Sequence, residues 1–407
     1  MSPPRPLDGV RVLDLSRVLS GPSCGKALAD LGADVVKLEP PEGDLTRTAQ
    51  PRRGGIAVYF AQQNCGKRCI SVDLATDAGC RLALDLARRS DVVLENYRPG
   101  VTARLGLGYE DVRAAHPGVV YCSISGYGQH GPEAGRRAYA PVLHAELGLM
   151  EFTARRRGTP PVAEAVSHGD LYTGLQAAIA ILAALRHRDR SGEGQHVDVS
   201  MAESMLAASE WTAVELAGGE GGRFHAFGGF HAPVLTLGDG TVVCVPGDPV
   251  ATFPAWCRAM DREALLAEER FATPEARNGN RAAMTETLQT FAAGFDRFAD
   301  FEAAIGRSRM AAGVVRSVAE AVSEPWAAAR GAVVEVEAGG ENMALPRSPV
   351  RFSALDAGTH GRPAFQGEHN REVLSEVLGL GDEEIDRLEE SGVLVSRPPT
   401  SPPPPTP

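Results

Sequence analysis

The sequence holds 407 residues, 43% hydrophobic and 23% charged, a balance that excludes a disordered chain and allows two or three domains with substantial cores. A net charge of -11 speaks against a nucleic-acid-binding face, which needs a basic surface, yet leaves room for small anions held by local Arg or Lys. The seven cysteines are scattered without a CxxC pair, so reduced thiols in a cytoplasmic protein are expected and no metal site. The start lacks the apolar core of a secretory signal, and no stretch has the apolar length of a membrane span, so no membrane partner is expected.

In chain order, residues 10–15 read as a strand, a Gly/Ser/Pro turn opens a helix to Leu31, and residues 34–39 read as a second strand. The alternation repeats through strands at 70–74, 91–95 and 119–123, with helices at 77–89 and 109–115 between them. Such alternation predicts an α/β fold with a mostly parallel, Rossmann-like sheet and ligands at the carboxyl ends of its strands. The first turn nevertheless lacks GxGxxG, and the chain has no GxxxxGK[ST], so nicotinamide and P-loop chemistry are poorly supported. Lys67, Arg98 and Arg104 fall on loops near strand ends, where they are either solvated charges or the grip on a ligand phosphate. Asn96 belongs to the same cluster of loops, and so does the Gly-rich stretch 125–132.

Residues 171–185 form an apolar run at helical spacing, read as a buried core helix, with Asp170 where an N-cap belongs. Two readings of Asp170 stand at this point: a helix cap, or an ionised nucleophile on a Gly-flanked turn. After a strand at 195–200 and a helix, a Gly-rich linker marks a change in composition. The expected domains are a large Rossmann-like domain over 1–224, a small α+β domain over 225–340, a return to the large domain over 341–396, and a disordered Pro-rich tail over 397–407.

The ordered series Leu7 to Leu15, Leu31 to Pro41, Gly66-Lys67-Arg68, Glu95 to Gly100, Tyr121 to Gly128, Gly169-Asp170 and Gly194 to Met201 resembles the class III CoA-transferases. These are also called the carnitine dehydratase and bile-acid-inducible operon protein family. The resemblance implies an interlocked, ring-like homodimer in which coenzyme A or acyl-CoA is a substrate and no cofactor is held permanently. It implies Asp170 as the nucleophile that takes an acyl group and then CoA before passing CoA to a carboxylic acid. It places CoA along the large domain, with Lys67, Asn96, Arg98, Arg104 and Tyr139 as candidate contacts. Backbone N–H groups of the Asp170 turn are expected to hold the developing oxyanion. Racemase members of the family pair their aspartate with a histidine where this chain has Tyr139, which counts against racemisation because proton relay needs two placed groups. The glycine loop that formyl-CoA transferases close over the intermediate corresponds to Gly228-Gly229, with His231 beside it. The expected activity is CoA transfer from an acyl-CoA to a carboxylic acid; the alternative is an acyl-CoA isomerase or racemase of the same fold.

Overall fold

The computed structural model describes residues 3–218 and 231–397 and divides the chain into two compact units. The first comprises residues up to Gly148, Ala163–Ser209 and the chain from Pro325 onward. Its elements follow the expected alternation: β1 (Arg11–Asp14), α1 (Ser20–Asp30), β2 (Asp34–Glu39), α2 (Val58–Asn64), β3 (Arg68–Ser71), α3 (Asp77–Arg88), β4 (Val92–Glu95) and β5 (Val120–Ser125). Then come α4 (Ala140–Glu146), α5 (His168–Ser191), β6 (Gln195–Ser200) and α6 (Met201–Ala208). The six strands pair in parallel in the order β3-β2-β1-β4-β5-β6, the doubly wound Rossmann-like arrangement.

Alternation along each strand feeds two cores. Val12, Leu94, Val120 and Cys122 face α1 and α5, while Leu13, Leu15, Val36, Val93 and Tyr121 face α3 and the C-terminal segments. Strand order reverses between β1 and β4, so a crevice opens beyond their carboxyl ends. The antiparallel hairpin Val333–Ala338 and Glu341–Pro346 packs with α2 in a third cluster around Phe60, Met343 and Leu345.

The helical run is less deeply buried than its hydrophobicity predicts. On α5 the inward residues are Thr173, Gly174, Ala177, Ala178, Ile181, Ala184 and Leu185, whereas Leu175 and Ile179 are 58% and 60% exposed. Small residues turn inward because α1 crosses at close quarters: a Cβ on Gly174 would lie 2.1 Å from Ser23 Oγ.

The second unit, Leu149–Val162 with Glu210–Glu324, is α+β. The three strands β7 (Val234–Thr236), β8 (Val242–Cys244) and β9 (Gly313–Val314) pair antiparallel. Helices α7 (Pro249–Ala259), α8 (Arg281–Ala292) and α9 (Phe298–Gly306) close over a core of Phe253, Trp256, Leu288 and Phe301.

The unit boundaries therefore differ from the expected 225 and 340. The helix Leu149–Arg157 joins the second unit through Arg155, which pairs with Glu215, and through the Phe152 and Trp211 rings 5.9 Å apart. The hairpin at 333–346 belongs to the first unit because its apolar face packs with α2. The Gly-rich stretch 219–230 and the tail 398–407 lie outside the described residues, so the expectations for Gly228, Gly229 and a disordered tail fall there. Among the described residues no helix is long and apolar enough to cross a membrane.

Candidate active site

The loop from β1 to α1 runs along the crevice and is fixed from below by buried charge. Lys67 Nζ lies 2.9 Å from Asp14 Oδ2, and Lys37 Nζ lies 3.0 Å from Asp44 Oδ2, with all four side chains fully buried. Burial alone would raise the Asp14 carboxyl, but Lys67 and Lys37 overcome it and hold the group below its ordinary range. Lys37 also donates to the Ser16 carbonyl at 2.8 Å, and the Ser16 hydroxyl donates to Asp14. A second clamp comes from β4: Asn96 accepts from the Arg17 N–H at 2.8 Å and donates to the Arg17 carbonyl and to Ser20 Oγ. Between these anchors Val18 adopts φ +67°, an expensive conformation for a β-branched residue, with its N–H directed at Asp44.

That loop delivers Ser20, the first residue of α1, to Asp170. The helix α5 begins at His168 with Ser167 as its N-cap, so Asp170 is its third residue and not the cap. Its half-buried carboxylate lies near the backbone N–H and hydroxyl of Ser20 and the backbone N–H of Ala140, the first residue of α4, and these donors favour its ionised form. Three helix starts, those of α1, α4 and α5, therefore meet at one carboxylate. Burial nevertheless prevails and pushes the Asp170 carboxyl above its ordinary range, against the pull of Ser20 and Ala140. Tyr59 of α2, 41% exposed, stands close enough that burial and the Asp170 charge both raise its phenol.

Beneath this turn lies His144 of α4, 1% exposed. Its Nε2 accepts from the Gly169 N–H at 3.1 Å, so Nδ1 carries the ring proton. The Gly169 carbonyl accepts from the Thr173 hydroxyl at 2.5 Å. Within the turn the Gly169 N–H is engaged by His144 and the Leu171 N–H by the Ser167 carbonyl.

The other predicted residues divide by burial. Lys67 is not a solvent-facing phosphate grip, because its three donors are spent on Asp14, Asn64 Oδ1 and the Pro22 carbonyl. Asn96 likewise is committed to the loop. Arg98 and Arg104 are exposed beyond β4 and make no ion pair among the described residues. Tyr139, 63% exposed, is the residue just before α4. His231 belongs to the second unit, where local desolvation and the Arg281 guanidinium hold its imidazole below the ordinary range. Sequence reasoning passed over Tyr59 and Ser20 as neighbours that feel or set the Asp170 charge; the only signal was Ser20 at the start of the first βα turn.

A doubly wound sheet with a desolvated carboxylate beside its first βα turn, and no glycine fingerprint, defines an α/β protein distinct from the dinucleotide enzymes. The family model for CoA-transferase family III matches residues 7–370, and the chain belongs to that family. It is similar to a succinate–glutarate CoA-transferase of Agrobacterium fabrum, 35% identical over 390 residues that span 91% of this chain and 96% of the relative. A formyl-CoA:oxalate CoA-transferase of Streptomyces avermitilis is 34% identical across 95% of this chain and 99% of its own. The crystal structure of a CAIB/BAIF family protein from Brucella suis superposes with a TM-score of 0.78 at 34% identity, covering 92% of this chain and all of the other. The protein is an enzyme that transfers CoA between an acyl-CoA and a carboxylate.

Proposed function

We infer that Asp170 carries this transfer covalently. Its carboxylate attacks the donor thioester carbonyl, the C–S bond breaks, and CoA leaves as thiolate with an acyl–aspartyl anhydride left behind. The thiolate then attacks the aspartyl carbonyl and expels the donor acid, giving an aspartyl-CoA thioester. An acceptor carboxylate attacks that thioester carbonyl and again releases thiolate. Attack of the thiolate on the acceptor carbonyl of the new anhydride yields acceptor-CoA and frees Asp170. The observation that supports the reading is the carboxylate itself, partly desolvated and set beside Ser20 of the first βα turn and Ala140. Desolvation sharpens a carboxylate nucleophile, while the helix ends oppose the rise that burial imposes on it.

Arg98 and Arg104, exposed and without an ion pair among the described residues, are cations available to CoA phosphates, joined by Tyr139 at the mouth of α4. The relatives' names point to short dicarboxylic acids and their CoA thioesters as the first substrates to try. The exposed apolar side chains Tyr172, Leu175 and Ile179 on α5 support assembly as the interlocked homodimer of the family. Seven unbridged cysteines fit a reducing, cytoplasmic setting.

The test is acyl-CoA with hydroxylamine and no acceptor acid. Wild type should lose activity as a hydroxamate forms on the peptide containing Asp170, and Asp170→Ala should show neither transfer nor adduct. Full transfer by Asp170→Ala would sink the assignment.

A further inference from the structure

Among the described residues His144 is the one buried imidazole touching the Asp170 turn, and the transfer chemistry above gives it no task. Its Nε2 is committed to the Gly169 N–H, and its Nδ1–H is buried without a partner. Leaving a buried donor unsatisfied is costly, so an apolar residue would suit the site better if packing were the only demand. What the imidazole supplies is an acceptor for the N–H immediately before Asp170. That N–H is one of the orphan donors at the start of α5, and engaging it fixes the first turn against α4. The two helices pack in ordinary contact there: a Cβ at Gly169 would sit 3.5 Å from the Ala140 backbone and 3.7 Å from His144 Nε2. The N–H of the same Ala140 reaches the Asp170 carboxylate. His144 and Ala140, both on α4, thus grip two consecutive residues of α5.

We propose that His144 is a positioning residue for Asp170, and that protonating its Nε2 releases the Gly169 N–H and lets the nucleophile leave its cradle. The added proton turns an acceptor into a donor facing another donor, so the bond cannot survive it. Three elements set the charge around the ring. From α5 comes His168, its ring centroid 5.9 Å away, and Asp170 one residue beyond Gly169; from the segment before α5 comes Glu164. On α4 itself Glu146 is turned to Tyr127 and Arg136, and α6, which packs on α4, offers only the exposed Glu203. Burial and His168 together hold the imidazole below its ordinary range, with Glu164 opposing them. The neutral, gripping form therefore persists at neutral pH and fails on acidification.

The proposal rests on Asp170 as nucleophile, and the experiment separates the two. Transfer rates of the full-length enzyme are measured against pH for wild type, His144→Leu and His144→Gln. Leu removes the acceptor and should lower kcat roughly tenfold or more with little change in KM for acyl-CoA. Gln places a non-titrating carbonyl near the Nε2 position; it should recover most of the lost kcat and make the acid limb shallower by one ionisation. Nitrogen-15 histidine NMR of wild type should show an unprotonated Nε2 at neutral pH. An unchanged acid limb in His144→Gln, full kcat in folded His144→Leu, or a protonated Nε2 at neutral pH would each overturn the proposal. If His144→Leu does not fold, the Gln profile and the NMR spectrum decide. Asp170→Asn distinguishes the underlying assumption: its survival as an active enzyme removes the nucleophile while leaving the His144 resonance to be read.

Discussion

At Asp170 burial and hydrogen bonding oppose each other, and burial wins. The folded state therefore binds the proton more tightly than the unfolded chain does. Stability from this group is fully present below the unfolded pKa and declines as pH rises through the folded one. Asp170→Asn should consequently melt at a higher temperature than wild type at neutral pH while losing transfer, as thermal denaturation and activity assays will show. Wild-type kcat should fall on acidification at a pH above that of an ordinary carboxylate. Glu95, at the end of β4, offers a cleaner case because burial pushes it up to about 7. The same sign applies, so wild type should lose stability as pH rises through about 7, and Glu95→Gln should flatten that dependence in urea titrations. Asp170 was legible in the sequence as an acid ahead of an apolar run. The burial of Lys67 was not, since a lysine on a loop reads as solvated until Asp14 and Asn64, from other elements, are placed around it.

Helix α5 was legible as a helix but not in its orientation. Its periodicity marks an apolar cylinder, and nothing local tells which stripe faces α1. The decision lies in Gly174, whose close approach to Ser23 and the Ser20 carbonyl turns the alanine stripe inward. Gly174→Val should force α1 and α5 apart, costing roughly 1–3 kcal/mol in chemical denaturation and lowering kcat through displacement of Ser20. The β1–α1 loop depends similarly on its buried ions. Lys67→Met leaves Asp14 buried beside only Lys37 and should cost about 3–5 kcal/mol. Arg98→Ala, by contrast, should leave stability alone and raise KM for acyl-CoA roughly tenfold or more, the value of a charge-assisted contact.

For the molecule as a whole, βα alternation foretold a parallel sheet, and the strand order followed the doubly wound rule. The division into units was harder to foresee, because residues 149–162 leave one unit and enter the other between two pieces of the first. Contacts such as the pairing of Arg155 with Glu215 and the Phe152–Trp211 rings reveal that excursion, and both link segments remote in sequence. The outward Leu175 and Ile179 make a further expectation at this scale. Leu175→Glu with Ile179→Lys should shift sedimentation from dimer to monomer, and a monomeric wild type would remove the dimer from the proposed function.

Val18, the one strained residue in the β1–α1 loop, bears on how the enzyme meets its substrate. A valine at positive φ costs of order 1–2 kcal/mol that glycine would not incur, and the loop holds it there through anchors at Asp44 and Asn96. A segment kept in an unfavourable shape by fixed neighbours behaves as a template and not as a flap. Successive donors and acceptors would then encounter an unchanging seat around Ser20, with adaptation to different acyl chains confined to other parts of the protein.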